Sequence, residues 1–155
     1  MSEASFEAGE ILTDEAILQR FQRSRNQPPC SRTLGLTITA VSQQAMSVEA
    51  AFDARAEVLA NPMKQIQGGY LSAMLDEVMS VACMVASKMT CVALTVEMKT
   101  SFFRPAMPGP LRGVGRVVRW GKTIAFTEGE IFDAEGRIVA KATGTAVPAP
   151  FANYK

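Results

Sequence analysis

The run of residues 68–88 restricts the fold of this chain more than any other feature. It is a long apolar segment at helical spacing that opens on the pair Gly68-Gly69. Its small residues, Ser72, Ala73, Ser80, Ala82 and Ala86, suit close packing on a sheet. Around it the chain alternates between apolar and polar at period two. Residues 34–41 and 46–52 read as the strands of a hairpin, and 93–103, 111–120, 123–132 and 137–147 read as four more strands. Turn signals separate them: a Pro- and Gly-rich stretch at 105–110, Gly121-Lys122, and Asp133 to Gly136. A shorter helix is expected at about 13–25, capped by Thr13 and ended by Asn26-Gln27-Pro28-Pro29, with a loop or short helical turn at 54–67.

A helix of about 20 residues spans roughly 30 Å, enough to cross such a sheet. The expected architecture is α+β: a curved antiparallel sheet of about six strands wrapped around one long central helix. With 155 residues the chain fits a single domain, 1–155. Within it we expect the N-terminal helix, a core at 33–148 and a C-terminal tail at 149–155. One helix cannot cover all of that sheet, so a partner subunit is expected to cover part of it.

Composition excludes several chemistries. The chain has no histidine, which removes Ser-His-Asp and Cys-His catalysis and argues against a zinc enzyme. The formal charge of +1 gives no basic surplus for nucleic acid. Cys30, Cys83 and Cys91 match no metal or redox spacing, and nothing in their use points to an oxidising compartment. Early acids (Glu3, Glu7, Glu10) stand where a signal peptide would be basic, and Asp76, Glu77, Ser80 and Lys88 interrupt the longest apolar stretches. The expectation is a cytoplasmic protein with no membrane span and no metal.

Acid–base work must then fall to a carboxylate. Asp76 lies in the apolar helical run beside Leu75 and Val78, an expensive place unless it faces water or a functional cleft. It is the candidate base or nucleophile. Solvent exposure, or pairing with a Lys or Arg, would also account for it. Gly68-Gly69 brings bare amides to a helix start, where they can hold developing negative charge; the same glycines would also permit a sharp loop-to-helix turn. Glu77, 100° further round the helix, is read as structural. Asn61 and Gln67 could orient water or a carbonyl, and Asn before Pro62 is also ordinary turn chemistry. Ser80, one turn after Asp76, shares its face.

Three motifs in order resemble the hotdog-fold thioesterases of the PaaI-like, phenylacetate-pathway branch. They are Asn61 with Gln67-Gly68-Gly69 and then Asp76, Thr95-Val96-Glu97-Met98 followed by Phe102-Phe103-Arg104-Pro105-Ala106, and Gly121-Lys122-Thr123-Ile124-Ala125-Phe126. The resemblance covers about residues 34–147. Gln67 stands where the family usually has His, and it cannot titrate.

The resemblance implies an acyl-CoA thioesterase with a carboxylate base and an oxyanion hole at the helix start. Its catalytic residues would be Asp76, Gly68, Gln67, Asn61 and Thr95, with Thr95 facing the carboxylate across a dimer. Its substrate-binding residues would be Gly69, Ser80, Arg104, Arg119, Gly121, Lys122 and Thr123, with Arg112 or Arg116 as further phosphate contacts. It implies a homodimer or homotetramer, and no cofactor beyond the coenzyme A moiety of the substrate. A non-catalytic acyl-CoA- or lipid-binding protein on the same scaffold is the alternative. The methionines could line an acyl pocket or fill the core.

Overall fold

The computed structural model describes residues 12–151. The early acids at 3, 7 and 10 and the last residues of the expected tail, 152–155, lie outside them. Ten elements follow in the order α1 (Asp14–Arg23), α2 (Pro29–Thr33), β1 (Leu36–Ser42), β2 (Ser47–Ala54), α3 (Ala56–Leu59), α4 (Gly68–Ala86), β3 (Cys91–Phe102), β4 (Gly109–Trp120), β5 (Ala125–Phe132) and β6 (Ile138–Pro150). The six strands form one antiparallel sheet in the order β1-β2-β4-β5-β6-β3, leaving β1 and β3 as its edges. This is the hotdog arrangement, with α4 as the enclosed helix.

Burial, rather than intrinsic propensity, explains why α4 is a helix. Val78, Val81 and Val85 are poor helix formers by themselves, yet all three are buried. Burying side chains of that kind contributes about 1.5–3 kcal/mol each. Leu75, Val78 and Ala82 belong to one buried core cluster with Phe52, Leu111 and Ile131. The sheet also makes room for the helix. A Cβ on Gly115 would collide with the Val78 carbonyl, so β4 can pass under α4 only as glycine at that point. The helix is apolar enough to cross a membrane by length and composition, with a mean hydropathy of 1.3, but half of that stretch is buried inside the fold.

Several boundaries differ from expectation. The long helix ends at Ala86 rather than Lys88, because Lys88 and Met89 take up left-handed backbone angles (φ 55° and 62°). Pro28-Pro29 ends one helix and also starts another: Pro29 sits at the start of α2, where its missing N–H leaves nothing unpaired. The tail was expected from 149. Instead, Ala149 and Pro150 pair with Val92 and Cys91, so the strand runs to Pro150.

Candidate active site

The centre of the candidate site lies where the middle of α4 meets β3. Asp76 is half-buried on the flank of α4 that faces this edge strand. Thr95 Oγ1 donates to Asp76 Oδ1 at 2.7 Å. The register of β3 against β6 shifts between Thr95 and Glu97, and this irregularity leaves Val96 out of the regular pairing and 64% exposed. Glu97 bonds Thr145 on the outer face of the sheet at 3.2 Å, while Thr95 on the other side of the shift aims inward at the helix. One turn earlier on α4, the Ser72 and Thr100 hydroxyls approach to 3.3 Å and tie the same strand to the same helix. Ser80 lines a small crevice with Thr95, Thr127 and Thr145. Among the described residues Asp76 forms no ion pair, so the Lys or Arg partner that could have explained it is not there.

The sequence-based expectation that Thr95 reaches the carboxylate from a second subunit is corrected by this geometry. The contact forms within one chain, because β3 is hydrogen-bonded into the same sheet that wraps α4.

The start of α4 is built by Gln67. As N-cap, its Oε1 accepts from Gly69 N at 2.6 Å and Tyr70 N at 3.3 Å. Its own amide donates to the Leu59 carbonyl at 2.9 Å, and the Ile66 amide donates to Ala106 at 2.8 Å. Gly68 N–H is thus the amide left without an acceptor among the described residues, at the positive end of the helix. The Phe102 ring stands beside Gly68: a Cβ there would lie 3.2 Å from that ring. An open groove of ≈ 390 Å³ runs past Gly68 between Leu71, Phe102 and Arg104.

Asn61 organises the loop that leads in. Its Oδ1 accepts from Met63 N at 2.9 Å and Gln65 N at 3.1 Å, which leaves the side-chain amide protons as its free donors. Both Asn61 and Gln67 therefore have their carboxamide oxygens engaged by backbone.

The remaining candidates divide between two ends of the sheet. Gly121, Lys122 and Thr123 form the β4–β5 turn, closed by the Gly121 amide on the Ile124 carbonyl at 2.9 Å, with exposed Arg119 beside it. Strand pairing aligns that end with Thr95, through Ala125 and Ala146. Arg104 lies past the opposite end of β3, nine residues and roughly 30 Å away along an extended strand. One chain does not bring Arg104 and Lys122 together. Arg112 and Arg116 are already engaged, the first with Glu49 at 3.4 Å and over the Phe132 ring, the second with Glu128 at 2.6 Å. Met74, Met79 and Met89 are core residues, whereas Met63 is exposed.

A relative decides the family. A phenylacetic acid degradation-related protein from Ralstonia eutropha JMP134 is 35% identical, with the match covering 84% of this chain and 98% of that one at a TM-score of 0.76. This chain belongs to the thioesterase superfamily. The sequence profile of that superfamily matches residues 65–140, which contain Gln67, Gly68, Asp76 and Thr95. The PaaI protein from the phenylacetic acid degradation operon of E. coli shares the fold at 21% identity, 80% coverage of this chain, 86% of its own and a TM-score of 0.72. A Thermoplasma volcanium protein, whose own esterase name is provisional, is 34% identical over 79 residues. That match takes in 51% of this chain and 59% of the relative, so the chain spans about three-fifths of that curated relative's length.

Proposed function

We propose that this chain is an acyl-CoA thioesterase that hydrolyses its thioester to the free acid and coenzyme A, and that its centre is completed by a second copy. The observation that carries this reading is the Asp76–Thr95 hydrogen bond on the same helix that opens with the uncommitted Gly68 amide. Thioester hydrolysis needs an activated water, or a carboxylate nucleophile, at the carbonyl carbon and a donor at the carbonyl oxygen. Thr95 holds one oxygen of Asp76 and leaves the other to take a proton from water. Gly68 N–H meets the oxygen as negative charge gathers on it, a role whose loss typically costs about 3 kcal/mol.

Within one chain the two groups are eight residues apart, about 12 Å along the helix, too far to act on one carbonyl. Two copies related by a twofold axis solve this. Midway between positions 68 and 76 lies Ser72, so an antiparallel pair of α4 helices centred there sets each Asp76 beside the other chain's Gly68. The Ser72–Thr100 contact carries the same axis to β3. That strand is a 12-residue sheet edge bearing exposed Leu94 and Val96, the kind of edge that recruits a partner strand. Antiparallel pairing about Thr100 puts Arg104 of one subunit opposite Val96 of the other. Arg104 then approaches the end of the sheet that carries Arg119 and the Gly121-Lys122-Thr123 turn, and the two basic groups can share the phosphates of coenzyme A.

The unit is a homodimer or two such dimers in a tetramer, and the chemistry needs no cofactor beyond the coenzyme A moiety. Three free thiols and an acyl-CoA substrate suit the reducing cytoplasm.

The test is thiol release across short, aromatic and long acyl-CoAs. Asp76→Asn should lower kcat by about 10²-fold or more with the oligomer intact by sedimentation. An unchanged kcat would remove Asp76 from the mechanism. Coenzyme A binding without thiol release from any member of the panel would make the chain an acyl-CoA-binding protein instead.

A further inference from the structure

The other flank of α4 carries a cavity that the proposed hydrolysis does not use. It lies between α1, α2, β1 and the side of α4 turned away from Thr95, with a volume of ≈ 320 Å³. Phe21, Leu36, Ile38, Val81 and Met84 give it apolar walls, and Glu77 is the one carboxylate in its lining. Glu77 does not swing into solvent. Ser31, itself only 3% exposed, donates to Glu77 Oε1 at 2.8 Å, and the Cys30 thiol lies 3.5 Å from the same oxygen. Among the described residues no Lys or Arg pairs with Glu77, and Oε2 has no hydrogen-bond partner. Two carboxamides in the same lining bond backbone instead: Gln22 donates to the Ile38 carbonyl at 3.2 Å and Gln27 to the Leu36 carbonyl at 2.8 Å.

We infer that this cavity is a second small-molecule site, selective for a compact apolar compound that carries one hydroxyl, which donates to Glu77. A cavity of roughly 150 Å³ holds benzene, so one about twice that size takes a substituted ring. Its walls favour hydrocarbon, and a fixed carboxylate oxygen without a donor favours a ligand that brings one. A neutral hydroxyl fits better than an ammonium, because burying a cation against these walls costs more than the single contact returns.

The experiment compares 4-ethylphenol with ethylbenzene on the full-length protein by ¹⁵N chemical-shift titration. It reads binding and not turnover, so its result is independent of the hydrolase assignment. The phenol should bind about tenfold more tightly, as expected for one hydrogen bond to a charged group. Shifts should centre on Phe21, Ser31, Ile38 and Val81. Glu77→Leu should abolish the preference while ethylbenzene still binds. Met84→Trp, which fills the cavity from its partly exposed side, should block both probes with the thermal transition retained. Equal affinities in the wild type, a preference that survives Glu77→Leu, binding that survives Met84→Trp, no binding of either probe, or shifts centred on Gly68 and Thr95 would each overturn the site.

Discussion

Gln67 decides what the start of α4 can offer a substrate. Its single carboxamide oxygen engages the second and third amides of the helix and leaves the first one free. A cap of this kind is worth about 0.5–2 kcal/mol. Gln67→Ala should therefore lower the melting temperature by a few degrees, by differential scanning calorimetry. Gln67→Ser should recover most of that loss, because serine caps by the same bond. Equal stability of the Ala variant and the wild type would mean that the cap contributes nothing.

A second residue-scale prediction concerns Cys83, which is buried in the core and whose thiol burial pushes up to about 11 from 9.0. A thiol raised in this way stays protonated in the folded protein while its unfolded counterpart ionises. Its contribution to stability is complete below about pH 9 and is lost as pH rises toward 11. Near pH 8, Ellman's reagent should label the exposed Cys30 and spare Cys83 until denaturant is added. Substituting Cys83→Ala should flatten the alkaline fall in stability.

Among elements, the strands were the most legible part of the sequence, because period-two alternation on a half-covered sheet is a direct consequence of burial. Asp76 was legible too, since Asp76 and Glu77 in the middle of an apolar helical run demand a reason. Its partner was not fully so. Thr95 was visible as a candidate, but whether it met Asp76 within a chain depended on a local register shift in β3, and no composition signal marks such a shift. The second helix was missed for a related reason: Pro28-Pro29 carries a stop signal and a start signal at once. The seat of α4 was also hidden, because Gly115 in an alternating strand looks like any small residue until the Val78 carbonyl is found above it. Gly115→Ala should cost several kcal/mol in urea unfolding, beyond the about 1–3 typical of overpacking, since a backbone carbonyl cannot repack as a side chain can. Gly136→Ala is the control. It has open space and a φ of 75°, so only about 1–2 kcal/mol of backbone strain is expected. Similar losses at both positions would mean that α4 is not held tightly against β4.

For the whole molecule, the proposed twofold axis would tie the catalytic pair, the proposed phosphate contacts and the exposed β3 edge together. Its position follows from where Asp76 and Gly68 sit on α4, and that makes it testable without an activity assay. Ala73 is half-buried next to Ser72, on which the proposed axis is centred, and would lie close to its own copy across it. Packed helices run about 8–10 Å apart, so a short bis-maleimide can bridge two such positions. In a background with Cys30→Ser and Cys91→Ala, Ala73→Cys should give a cross-linked dimer in high yield. Glu57→Cys, exposed on α3, should give none. The buried Cys83 stays silent in both. Efficient cross-linking through position 57 with none through 73 would put the subunit contact elsewhere. Asp76 and the neighbouring Gly68 would then have no route to a common carbonyl, and the shared centre would fail even if the protein proved to be a dimer.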